Sequence, residues 1–189
     1  MNYPFTLLIW GYVITIFDFR INGFNIVFDS IGWIMVAFAI AKLPNIRSFT
    51  FAKRAAVIVV FLSLPEIFPQ AYYEHNNMSA SVTFIFTVIT GLSQLLIMFI
   101  GVNLLSGFAE LLKGKSDVTE RLEKFKKTYL IVQTVVSFGL LARFVIFDEW
   151  LFLLVALVII AWLFHIYLIF LFNRVKHVFK EVGHISPEA

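Results

Sequence analysis

"WLFLLVALVIIAWLFHIYLIFLFN", residues Trp150 to Asn173, runs for 24 residues without an Asp, Glu, Lys or Arg. A helix needs about 20 apolar residues to cross a hydrocarbon core about 30 Å thick, so the stretch reads as a membrane span whose one ionisable side chain is His165. The rest of the chain has the same character: of 189 residues, 60% are hydrophobic, 14% are charged and 23 are phenylalanine, with a mean hydropathy of +0.89. A soluble domain of this length could not bury so much apolar surface. A helix bundle in lipid exposes it freely, because the solvent is itself apolar.

Five further apolar segments precede this one, at approximately 3–17, 30–43, 55–73, 80–112 and 128–147, with the last at 150–173. The expected fold class is therefore all-α: a polytopic membrane protein, a bundle of six transmembrane helices forming one domain over 1–182, with a short tail at 183–189. Basic residues alternate between the connections. Lys42, Arg47, Lys53 and Arg54 lie between the second and third segments, and Lys113, Lys115, Arg121, Lys124, Lys126 and Lys127 between the fourth and fifth. The third connection has none, the short fifth one has none although Arg143 lies just before it, and Arg174, Lys176 and Lys180 follow the sixth segment. By the positive-inside rule both termini are cytoplasmic and the protein sits in the cell membrane. The net charge of +3 and pI near 9.2 then need no nucleic-acid partner, since anionic inner-leaflet lipids attract the basic residues. The absence of cysteine excludes disulfides, thiolate metal sites, a cysteine nucleophile and S-acylation. The N-terminal segment lacks a basic region and a small-x-small cleavage site, so it reads as a retained helix rather than a signal peptide.

The one sizeable cytoplasmic loop, "KGKSDVTERLEKFKK" at 113–127, starts with Gly114 as a breaker and then offers Asp117 with Glu120 three residues on, a capping-box-like start. Val118, Leu122, Phe125 and Tyr129 follow at helical spacing. This predicts a short amphipathic helix on the inner surface that runs into the fifth span. Its basic face is either simply solvated or the docking face for a membrane or cytoplasmic protein partner. A bundle this small can also pair with a second copy of itself, although no span announces an interface.

Charges inside the membrane are the residues most apt to carry function. With a rise of about 1.5 Å per residue, Glu66 lies about 18 Å above the inner face, Arg143 about 24 Å and Asp29 about 20 Å. All three fall in the outer half of the core, and with Asp18 and Arg20 at the same rim they form the candidate binding cluster: Asp29, Glu66, Arg143, Arg20 and Asp18. Pro65 and Pro69 flank Glu66 and predict a kinked or broken helix there. Such breaks are where transporters place protons or coupling ions, while pairing with Arg143 is the structural alternative. Asp29, within "FRINGFNIVFDSIGW" at Phe19 to Trp33, either caps the second helix or ends a non-helical dip, with Gly23 permitting the turn. Nearer the inner side, Gln133 and His165 come out at similar depth and predict a hydrogen-bonded pair. His75, His177 and His184 show no ligand spacing, so no metal and no cofactor is expected.

No HExxH, GxSxG, P-loop or glycine-rich dinucleotide turn is present. "GLSQ" at Gly91 to Gln94, with His165 two spans later, looks superficially like the Ser and His dyad of a rhomboid intramembrane serine protease. The small residues around the histidine, the oxyanion donors of the second span and the Trp-Arg pair of the first loop are missing. Gly91, Gly101 and Gly107, with Ser93 and Ser106, suit close helix packing instead. The opening motif "RINGFNIVFDSIGW" resembles a pattern in an uncharacterised family of bacterial multi-pass membrane proteins, matching at Arg20, Gly23, Phe24, Asn25, Asp29, Gly32 and Trp33. Members often have Asp where this chain has Asn25 and Pro where it has Phe28. The resemblance implies a bacterial integral membrane protein and carries no activity with it. The expected function is non-enzymatic, acting through protein partners, lipids or signalling; the alternative is a small proton- or cation-coupled transporter or channel subunit, and a remote one is a serine hydrolase.

Overall fold

The computed structural model describes residues 3–16, 20–21, 24–25, 29–64, 80–113, 117–141 and 151–184. They form α1 (Tyr3–Ile16), β1 (Arg20–Ile21), β2 (Phe24–Asn25), α2 (Asp29–Ala41), α3 (Arg47–Ser63), α4 (Ala80–Leu111), α5 (Val118–Leu141) and α6 (Leu151–His184). The described fold is all-α apart from one minimal hairpin, in which β1 and β2 run antiparallel with Arg20 opposite Asn25 and Ile21 opposite Phe24. Asn-Gly falls between the strands in the sequence, the dipeptide most favoured in two-residue hairpin loops. An extension of the second helix over Asn25 to Phe28, which its short apolar run would invite, does not include Asn25, and α2 is 13 residues long, about 20 Å.

Pro44 separates α2 from α3 because its ring removes a backbone donor and disfavours helix in the residue before it. Past it the backbone N–H of Thr50 reaches the Ile46 carbonyl at 3.1 Å, and α3 starts at Arg47 with Lys53 and Arg54 exposed along its side. The amphipathic stretch expected after Gly114 is present as the first turns of α5: Val118, Leu122 and Tyr129 are buried and Phe125 half-buried. The helix continues from there without interruption to Leu141.

Each helix packs against its successor in the chain, and α6 returns to α1, so the six close into a ring with its thinner seams on either side of α6. Phe108 of α4 ties the ring together near the end that carries the α4 and α6 C-termini. Its ring centroid lies 5.6 Å from Phe5 of α1, 5.1 Å from Phe49 of α3 and 5.5 Å from Phe172 of α6. Aromatic pairs of this kind contribute about 0.5–1.5 kcal/mol each beyond the area they bury. Elsewhere glycine sets the spacing. A Cβ on Gly11 would meet the Gly32 carbonyl oxygen at 2.8 Å, and one on Gly32 would meet that of Gly11 at 2.8 Å, so α1 and α2 touch backbone to backbone. Gly101 and Gly107 instead accept the rings of Tyr129 and Phe49.

The core of the bundle is apolar, yet large apolar side chains also cover much of its outside. Phe38 is 61% exposed and Phe170 66%, while Gln133 and Ser137 are fully buried. Among the described residues two helices are long and apolar enough to cross a membrane, through Val88–Leu111 and Val155–Lys180, and 28% of each apolar window is buried.

Candidate functional site

Tyr129, Gln133 and Ser137 stand one helical turn apart on α5 and are all fully buried, a polar stripe on the inward face of the helix. Opposite them α6 presents Ala161 and His165, again one turn apart, and α4 brings Gln94. The Gln94 amide Nε2 donates to Gln133 Oε1 at 2.8 Å, and Ser137 Oγ donates to the Gln133 carbonyl at 2.7 Å. His165 Nδ1 lies 2.9 Å from the Ala161 carbonyl, which can only accept, so that nitrogen carries the proton. Nε2 then keeps its lone pair and accepts the Tyr129 hydroxyl at 3.2 Å. Gln133 Nε2 is 3.2 Å from Nδ1 and 3.4 Å from the same carbonyl, and since Nδ1–H is a donor the amide donates to the oxygen. The contact expected between Gln133 and His165 is there, but the two side chains meet as donors to one shared acceptor. The chain Gln94, Gln133, Ala161, His165, Tyr129 thus links α4, α5 and α6 with every bond given a donor and an acceptor.

Beside this chain is a cavity of about 180 Å³ between α1 and α2 on one side and α4, α5 and α6 on the other. Its polar and aromatic wall comprises Tyr12, Thr15, Trp33, Gln94, Trp162 and His165, and no Asp, Glu, Lys or Arg is among the described lining residues. Tyr12 is fully buried, edge-on to Trp33 at 5.7 Å and to Phe172 at 5.3 Å, and its hydroxyl has no hydrogen-bond partner among the described residues. Buried hydroxyls are ordinarily bonded, so this one is an exception next to the cavity. Trp162 Nε1 donates to the Ile16 carbonyl at 3.2 Å, which fastens α6 to the end of α1.

The residues singled out from sequence fall differently. Asp29 opens α2 in its first turn, where a carboxylate is favoured by the helix dipole, and it does not line the cavity. Arg20 lies in β1. Asp18, Glu66 and Arg143 are outside the described residues, and so therefore is the expected Asp29, Glu66 and Arg143 cluster. Ser93 is half-buried in α4, and both ring nitrogens of His165 are engaged by Ala161 and Tyr129. No group of three His, Cys, Asp or Glu residues placed to hold a metal occurs among the described residues.

Sequence reasoning missed Tyr12, Trp162 and the partnership of Gln94, and it singled out Trp33 only as a position of the opening motif. The i, i+4, i+8 spacing of Tyr129, Gln133 and Ser137 was the available signal for the chain, and the cavity wall had none. Comparison of the protein with family models, with curated proteins and with solved structures gives no match.

Proposed function

We propose that this chain is an integral membrane protein of six spans, with both termini in the cytoplasm, that works by binding rather than by catalysis. It takes a small uncharged molecule into the cavity and passes the effect on to lipid or protein partners. The observation that carries this reading is the cavity wall, which offers hydrogen-bonding and aromatic groups but no fixed charge. A charged ligand would lose its hydration there without gaining a counter-ion, a cost of several kcal/mol, whereas a neutral one meets a wall that includes Trp33, Trp162 and Gln94. The volume suits a molecule of roughly benzene size or slightly larger, given that a cavity of about 150 Å³ holds benzene. The alternation of basic connections and the outward-facing apolar side chains support the membrane part. A proton- or cation-coupled site would call for a carboxylate on the wall, and a hydrolase for a serine at His165.

Replacing Trp10 and Trp150 by Phe leaves Trp33 and Trp162 as the only tryptophans. In nanodiscs, para-bromobenzyl alcohol is expected to quench their fluorescence saturably, para-bromobenzoate much less, and Ile97→Phe, which fills the cavity, is expected to abolish the saturable part. Quenching that rises linearly with either compound and ignores Ile97→Phe would overturn the reading, because it would report partition into lipid alone.

A further inference from the structure

A second concavity lies on the outside of the ring, where α5 and α6 meet near the basic end of the bundle. It measures about 540 Å³. Arg121 and Lys124 edge it from α5, and Leu163, Phe164 and Tyr167 line it from α6. Phe125 forms its floor, stacked on Phe164 at 5.5 Å and tilted against Tyr167 at 4.9 Å. The antiparallel register fixes its depth. Asp117 meets Arg174 at one end and Tyr129 meets His165 further in, so the cations stand at the charged end and the apolar wall leads from them toward the middle of the bundle.

The charges do not cancel. Asp117 is shared by Arg121 and Arg174, each at 3.6 Å, and Lys124 makes no ion pair among the described residues although the exposed Glu120 lies one turn before it, so the five cations Arg121, Lys124, Lys126, Lys127 and Arg174 outnumber the three carboxylates Asp117, Glu120 and Glu123. Lys126, by contrast, is paired with Glu123 at 2.6 Å. Arg and Lys beside a half-exposed Tyr, above an aromatic slot, match a phosphodiester followed by a hydrocarbon chain. An acidic peptide would satisfy the cations but leave the apolar wall uncovered, since Leu163 and Phe164 lie deeper along α6 than Arg174.

We propose that this groove holds one anionic phospholipid of the inner leaflet, its phosphate on Arg121 and Lys124 and one acyl chain along Phe164 and Leu163. The proposal rests on the membrane reading above, and the test separates the two. The full chain is placed in nanodiscs of equal parts phosphatidylglycerol and phosphatidylcholine, and the lipid retained on release is counted by native mass spectrometry. The wild type should retain one phosphatidylglycerol per chain with a preference of about tenfold over phosphatidylcholine. Arg121→Gln with Lys124→Gln should lose that preference, while Lys53→Gln with Arg54→Gln, removing two exposed cations of α3, should keep it. A preference that survives the first pair of changes, or falls equally with the second, overturns the groove as the site. A folded chain that stays in the nanodisc but retains no phosphatidylglycerol also overturns it and leaves the membrane reading standing. A chain that does not enter nanodiscs at all overturns the membrane reading itself.

Discussion

Gln133 is the residue on which most of the polar chain turns, because its amide both accepts from Gln94 and donates to the Ala161 carbonyl. Gln133→Leu keeps the size but leaves the Gln94 amide facing an apolar group, so it should lower stability by about 1–3 kcal/mol. Adding Gln94→Leu should return much of that loss, since replacing both partners of a buried hydrogen bond by apolar groups of similar shape is close to neutral. Thermal denaturation of the four variants in one detergent measures the cycle, and strictly additive losses would show that the two amides do not depend on each other. The chain was partly legible beforehand. Counting residues from Lys127 and from the outer end of the sixth segment gives depth, and depth alone put Gln133 level with His165. It gives no rotation about the helix axis, and rotation is what turns Tyr129 toward His165 and Gln94 toward Gln133.

Among the elements, α1 and α2 have the closest approach, and their two glycines are the reason. Gly11→Ala and Gly32→Ala each place a methyl against a carbonyl oxygen of the opposing backbone, which cannot turn aside as a side chain could. Either change should destabilise the protein by about 1–3 kcal/mol through overpacking, and both together by less than the sum, because the helix separation forced by the first makes room for the second. Denaturation midpoints of the two single variants and the double one decide this, and full additivity would mean that the helices do not share one contact. Gly11 was not picked out from sequence and Gly32 only as a position of the opening motif, since attention to a small-residue stripe fell on α4. The glycines of α4 that were picked out accept rings instead: Gly101 that of Tyr129 and Gly107 that of Phe49. The strands ahead of α2 agree with the non-helical alternative, for which Gly23 was the signal, although the pairing of Arg20 with Asn25 was not read from it. Hydropathy likewise located the apolar middle of α3 but not its start at Arg47, since exposed basic residues sit on a helix side as readily as in a loop.

At the scale of the whole molecule, among the described residues only α4 and α6 are long and apolar enough to cross a membrane; α1 and α2, at 14 and 13 residues, reach about 20 Å each and on the six-span reading depend on their neighbours to be placed at all. The ring closure between α6 and α1 could not be read from sequence, because it is made by contacts such as Tyr12 on Phe172 and Lys176 Nζ on Thr6 Oγ1 that join opposite ends of the chain. The sidedness of that ring can be tested directly, since the protein has no cysteine of its own. Single cysteines at Lys42, Lys113 and Lys180 should react with a membrane-impermeant maleimide only after cells are opened, and one at Asn76 should react in intact cells. The opposite pattern would invert the bundle and move the Arg121 and Lys124 groove to the outer leaflet. Labelling of Lys42→Cys and Asn76→Cys from the same side would mean that α3 and the residues after it do not cross, and the six-span reading would fall while the polar chain between α4, α5 and α6 stood unchanged.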